Sequence, residues 1–287
     1  MELAFMKGCK KFLLLLLVPF FFVISCNKTL GKDFAGGLFS YENPGLHLFE
    51  IVNADHAINR QSVEDSAYEL SNERDDVLQV TYLMDVPWNL TIDLGDSRKR
   101  GSLLLDNEQA VVRTFLNHRL VMRGQGYGTY EEKVQQQKEK MREHLNRSYQ
   151  PTSFFELTDF KYIPNNTIEV SFVAQKDLSA KFLDSLSLVP LVVIDSLPSY
   201  SNPQRSHRNV AVQSLSLASS EEIFDGSGYK LSHILKKPPL SRGDEVMFSF
   251  QASLPEISWE GQWKVMFVFE NHSVKTQYGA WAIPLDE

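Results

Sequence analysis

Apolar positions in this chain follow two patterns. From 12 to 24 they form one run, Phe-Leu-Leu-Leu-Leu-Leu-Val-Pro-Phe-Phe-Phe-Val-Ile. After residue 45 they come in short stretches broken by polar residues, which is the habit of half-buried strands. Strands are predicted at 46–52, 77–85, 90–94, 154–162, 167–174, 188–194, 210–217, 245–252, 263–270 and 280–285. Alternation is clearest where Leu78, Val80 and Tyr82 share one face. The same holds for Ile168, Val170 and Phe172, and for Val246, Phe248 and Phe250.

One region departs from this period. Asp106-Asn-Glu-Gln109 has the form of a helix start, and Val112, Leu116 and Leu120 recur every four residues after it. Gly124, Gly126 and Gly128 supply a stop. Thr129-Tyr-Glu-Glu132 is a second capping box, opening a polar helix that ends near Arg147. The reading is a helical hairpin over 106–147. Its second helix carries only Tyr130, Val134, Met141 and Leu145 on an apolar stripe, so it is expected at the surface.

The segment 196–207 holds prolines and serines without apolar periodicity and reads as a linker. The fold class predicted is mainly β. A β-rich domain over 46–195 is interrupted by the helical hairpin, and a separate domain spans 208–287. The alternating strands of that last part resemble a small β-sandwich of the immunoglobulin or fibronectin kind, without a cysteine pair.

The run from 12 to 24 has a different meaning. As a helix it would reach about 20 Å, short of the roughly 30 Å of bilayer hydrocarbon. Lys7, Lys10 and Lys11 precede it, which suits a signal peptide over 1–25. Val23-Ile24-Ser25-Cys26 resembles the lipobox of bacterial lipoproteins, with Val23 where Leu is usual. The resemblance implies that the mature chain begins at Cys26, which carries the lipid (palmitate or similar acyl chains), and that the membrane is one partner. Asn27, rather than Asp, after the cysteine implies the outer membrane, facing the periplasm. Residues 26–45 then form a tether.

Charge narrows the partners. The chain has 29 basic and 36 acidic residues. Removing residues 1–25, which hold three lysines and Glu2, leaves 26 against 35, a net charge of −9. Nucleic acid is disfavoured, because its phosphates need a basic face. The two cysteines are Cys9 and Cys26, so the body of the chain has no disulfide, thiol nucleophile or cysteine metal site. No H-E-x-x-H, G-x-S-x-G or P-loop motif occurs. The acidic group Glu64, Asp65, Glu69, Glu73, Asp75 and Asp76 lacks the spacing of a calcium loop. No catalytic residue, cofactor or metal ligand is therefore assigned.

Aromatic residues crowd the last thirty positions. Trp263, Phe267 and Phe269 share a strand face and suit a core. Trp259, Tyr278 and Trp281 are the candidates for contact with a protein partner or a polysaccharide. The expectation is a non-catalytic binding or scaffold subunit of an envelope assembly. The alternatives are a glycan-binding lipoprotein of a polysaccharide uptake system and an envelope hydrolase whose site is assembled from distant residues.

Overall fold

The computed structural model describes residues 46–53, 61–84, 93–105, 112–123, 127–148, 151–163, 166–199, 204–218, 224–236, 238–252 and 262–285. The first half contains β1 (His47–Asn53), α1 (Gln61–Glu73), β2 (Val77–Leu83), α2 (Gly95–Leu105), β3 (Arg113–Leu116), β4 (Arg119–Arg123) and α3 (Tyr130–Arg147). Strand β1 pairs in parallel with β2 and antiparallel with β3, and β3 pairs antiparallel with β4. The local order is β2-β1-β3-β4, with α1 between β1 and β2 and α2 between β2 and β3. Residues 27–287 of this chain contain no cysteine, so this half has no dithiol.

The second half adds β5 (Phe155–Ile163), β6 (Thr167–Ala174), α4 (Ala180–Asp184), β7 (Ser187–Pro198), β8 (Ser206–Ser214) and β9 (Ser216–Leu217). It closes with β10 (Tyr229–Lys230), α5 (Leu231–Ile234), β11 (Glu245–Gln251), β12 (Trp263–Asn271) and β13 (Thr276–Pro284). One mixed sheet runs β13-β12-β7-β8-β2-β1-β3-β4, with β10 beside β7. A smaller antiparallel sheet, β5-β6-β11-β9, packs on it. The molecule is mainly β, and its second half is a sandwich.

Alternation explains the layers. In β6 and β11, Ile168, Val170, Phe172, Phe248 and Phe250 point inward to meet Val192, Ile194, Val265, Phe267 and Phe269 of the large sheet. Each fully buried side chain of this size contributes about 1.5–3 kcal/mol, so this layer dominates the stability of the sandwich. In β1 both faces are buried. Phe49 and Ile51 meet Val63, Ala67 and Leu70 of α1 and Met141 and Leu145 of α3. Leu48 and Val52 face Leu104 and Leu105 of α2.

Three expectations change. The predicted helical hairpin over 106–147 is half right. Helix α3 starts at its Thr129 capping box and lays its apolar stripe on α1. The segment expected to be the first helix contains the β3–β4 hairpin instead, while 106–111 lies outside the described residues. Val112, Thr114 and Phe115 are strand formers, and Asn117 and His118 adopt φ of 51° and 70°. Positive φ at both central residues makes the two-residue turn that suits a hairpin. The four-residue apolar spacing was thus a coincidence of two strands.

The linker expected at 196–207 is no boundary. β7 and β8 pair across it, from Leu191 with Ser214 to Pro198 with Ser206, inside one continuous sheet. The strand expected at 90–94 is absent at 93–94, where the chain leads into α2, and 90–92 lies outside the described residues.

Candidate functional site

The ionisable residues that matter most gather where no motif announces them. Helix α2 is anchored at its first turn. Ser97 Oγ accepts from the Leu83 N–H at 2.9 Å, and Asp96 Oδ2 accepts from the Ser214 N–H and hydroxyl at 3.0 and 2.6 Å. One turn later Arg100 therefore points into the sheet. Its Nη1 and Nη2 each donate to Glu270 at 2.6 Å, a bidentate fork. Nη2 also donates to Glu50 at 3.0 Å, and Nη1 to the Gly226 carbonyl at 3.1 Å. Gly226 sits at φ 100°, and a Cβ there would lie 2.9 Å from the Lys99 carbonyl oxygen. Only glycine lets this loop press so closely on α2.

His118 completes the group. The β3–β4 turn directs it inward, with Nε2 against Glu270 and Nδ1 2.8 Å from Glu50. The Nδ1 approach is an ion-pair contact rather than an aligned hydrogen bond. Tyr82 donates to Glu50 at 3.2 Å. Arg100, Glu50 and Glu270 are 0 % exposed and His118 is 3 % exposed.

Burial opposes a charged His118, but Glu270 and Glu50 outweigh it and raise the imidazole to about 9. Burial also opposes a charged Glu270, but Arg100 and His118 lower it to about 2. Glu50 is lowered too, against burial, by His118 and Arg100. Two cations thus face two anions and the cluster is neutral. Removing any one partner would leave a buried charge uncompensated.

This geometry reports on the sheet. Glu50 lies on β1 and Glu270 on β12, four strand intervals apart, or about 19 Å on a flat sheet. Both carboxylates touch one guanidinium, so the sheet curls around the α2 side. The curl passes through its sparsest joint, because β2 and β8 share a single registered pair, Thr81 with Val210. Side chains supplement that joint. Asn209 Nδ2 donates to Gln79 Oε1 at 2.8 Å, and Gln79 Nε2 donates to the Arg208 carbonyl at 3.0 Å. On the α1 side, His207 Nδ1 of β8 lies 3.0 Å from both oxygens of Glu64, which Asn53 of β1 also contacts. A buried ionic cluster and a buried imidazole–carboxylate contact therefore straddle the joint between the halves.

Open chemistry lies elsewhere. A groove of about 380 Å³ between α1 and α3 is lined by Asp65, Tyr68, Tyr130, Arg205 and Arg208 among others. The Arg205 guanidinium sits 3.3 Å from the Tyr130 ring centroid, and that of Arg208 4.9 Å from Tyr68. Both arginines lie 3.7 Å from Asp65, which also accepts from the Tyr130 hydroxyl. Burial raises the Asp65 carboxyl in spite of these partners. Tyrosine and arginine are the residues that concentrate binding energy at protein interfaces.

The residues singled out from sequence separate. Cys26 and Trp259 lie outside the described residues. Trp281 is 3 % exposed and packs against Phe172 and Phe269, so it is core and not a contact surface. Tyr278 is half-buried. The β12–β13 register slips between Phe269–Gly279 and Glu270–Gln277, which leaves Tyr278 as the extra residue of a bulge. The bulge turns its ring onto Phe154, with centroids 4.7 Å apart.

His118, which no sequence motif singles out, is buried. The acidic residues of 64–76, which lack calcium-loop spacing, are held by separate partners. Glu69 and Glu73 pair with Lys138, Asp76 with Arg74, Glu64 with His207 and Asp65 with Tyr130. Among the described residues no cluster of histidine and carboxylate is arranged to hold a metal, and no helix is long and apolar enough to cross a membrane.

No protein-family model matches the chain, and no curated protein matches it. Among solved structures it is similar to HBP35 of Porphyromonas gingivalis, at 15 % identity over 85 % of this chain and 76 % of that one, with a TM-score of 0.53. An Agrobacterium tumefaciens protein solved by a structural genomics consortium aligns over 86 % of this chain and 97 % of its own, at 11 % identity and a TM-score of 0.47. What the chain shares with the first of these is its fold.

Proposed function

We propose that this chain is a non-catalytic binding or scaffold protein of the bacterial cell envelope, held by lipid on Cys26 at the outer membrane and facing the periplasm. The observation that carries the binding role is the tyrosine–arginine groove between α1 and α3. It is open, and its two stacked arginines are pre-ordered over aromatic rings, so little side-chain entropy is lost when a partner covers them. An envelope protein that presents an apolar and acidic surface fits it.

Two features favour binding over catalysis. The charged residues best placed for acid–base chemistry are enclosed and neutralise one another. Residues 27–287 have no thiol to act as a nucleophile or to exchange. The lipid anchor is supported by the Val23-Ile24-Ser25-Cys26 segment alone.

The test is capture of partners from gently solubilised envelopes by the full chain. The expected result is a defined set of envelope proteins that disappears with Tyr68→Ala combined with Arg205→Ala. Retention of the same set by that variant would refute the groove. A Cys26→Ala arm checks the anchor, since it should move the protein to the soluble periplasmic fraction. Sedimentation of that variant with membranes would place the anchor elsewhere.

A further inference from the structure

A second cavity has a different character. It measures about 450 Å³ and lies where the β3–β4 turn, the end of α3, the chain before β5 and the start of β13 meet. Arg119, Arg147, Lys176 and Lys275 line it, and no carboxylate is among its described lining residues. This is anomalous in a chain with a net charge of −7. Arg119, Lys176 and Lys275 form no ion pair among the described residues, and Arg147 makes one exposed pair with Glu143 at 3.7 Å. The negative end of the α3 dipole, worth roughly half a charge, points here too, and four cations exceed it.

Two further features say what the cavity would hold besides an anion. Phe154 and the bulge residue Tyr278 put an aromatic pair in the wall, with Lys176 Nζ 4.7 Å from the Phe154 centroid. Gln277 is 3 % exposed and also lines the cavity. Its Nε2 donates to the Leu46 carbonyl at 3.0 Å, which fixes the amide orientation. Its Oε1 is then a buried acceptor with no donor. Such an oxygen calls for a hydroxyl or N–H. A ligand that satisfies all three demands has a negative charge, a flat apolar face and hydroxyl donors.

We propose that this cavity binds an acidic saccharide, with the carboxylate among the four cations, the ring face on Tyr278 and Phe154, and a hydroxyl toward Gln277. The volume falls within the range of small-ligand pockets. The site is separate from the α1–α3 groove, so its failure would leave the partner-capture result untouched.

The experiment is titration calorimetry of the full chain in detergent with trigalacturonate, with neutral galactotriose and with inorganic phosphate. Trigalacturonate should bind roughly tenfold more tightly than either control, and added salt should weaken it. Arg119→Gln combined with Lys275→Gln, both at exposed positions, should cost roughly tenfold while the circular dichroism spectrum stays unchanged. Equal affinity for the neutral sugar, equal affinity for phosphate, unchanged affinity in the double variant or no binding of trigalacturonate would each overturn the proposal.

Discussion

The two halves of this molecule bury different things. The sandwich buries rings and branched aliphatics. Phe172 alone contacts Phe248, Phe267, Phe269 and Trp281 at centroid distances of 5.0 to 6.2 Å. The first half buries apolar residues as well, but where it joins the sandwich it buries polar and charged groups. Arg100, Glu50, Glu270 and His118 lie on one side of the sheet, and Glu64 and His207 on the other. Apolar packing is non-directional and tolerates small shifts. An enclosed ionic group must be complete, because each missing partner strands another. The joint therefore fixes one arrangement of the halves, while the sandwich supplies most of the burial.

Arg100→Ala attacks the joint and should have the largest effect. It leaves Glu50 and Glu270 facing each other with only His118 between them. A loss of about 3–5 kcal/mol in urea-unfolding free energy is expected. Three of the four tryptophans, Trp259, Trp263 and Trp281, belong to the second half of the chain, whereas α1, α2 and α3 belong to the first. Tryptophan fluorescence and helical circular dichroism therefore report on different halves. In the wild type the two transitions should coincide, and in the variant the helical signal should unfold first. Coincident transitions in the variant, with only a small loss of stability, would mean that the joint does not depend on the cluster.

Proton binding tests the same cluster without mutation. His118 is raised from an ordinary 6.5 to about 9, so its contribution is full below 6.5 and is lost as pH rises through about 9. Glu270 is lowered from 4.5 to about 2, and Glu50 is lowered as well. The Glu270 contribution is full above 4.5 and is lost as pH falls through about 2, and that of Glu50 is also lost on the acid side. Stability from the cluster should thus peak between 4.5 and 6.5 and fall on the alkaline side by on the order of 3 kcal/mol. His118→Gln should flatten that alkaline limb in urea titrations repeated across pH. An alkaline limb of unchanged slope in the variant would assign the titration to another group.

The contrast also explains what could be read in advance. The sandwich strands were legible because their alternation is local, and β6 begins and ends where predicted, at Thr167–Ala174. Helix α3 was legible from its capping box. Helix α1 had a usable signal, Val63, Ala67 and Leu70 at helical spacing, which its acidic residues obscured. Helix α2 had almost none, since Gly95-Asp-Ser-Arg-Lys-Arg-Gly101 carries no apolar face.

The charge cluster was invisible for a different reason. Its members lie at 50, 100, 118 and 270, and only the curl of the sheet unites them. The linker error has the same root. Polar residues at 196–207 look like a surface connection, yet His207 is there to meet Glu64 across the joint. Of the contact residues, Trp281 is buried in the apolar cluster, while Tyr278, the extra residue of the bulge, packs at its edge and stays half-buried.

A smaller substitution in the sandwich provides the counterpart. Ile194 is 0 % exposed, pairs with Val210 of β8 and Trp263 of β12, and belongs to the main apolar cluster. Ile194→Val removes one methylene from a site where no charge takes part, and about 1 kcal/mol is the expected loss. Because the site does not titrate, the loss should be the same at about pH 6 and about pH 10, while the Arg100→Ala loss should grow at the higher pH, where His118 has given up its proton and no cation is left between Glu50 and Glu270. The sandwich substitution should also lower both spectroscopic transitions together. If its cost changed with pH as the cluster's does, or if it separated the two transitions, then the apolar core and the ionic joint would be one coupled element, and the division of labour between the halves would have to be abandoned.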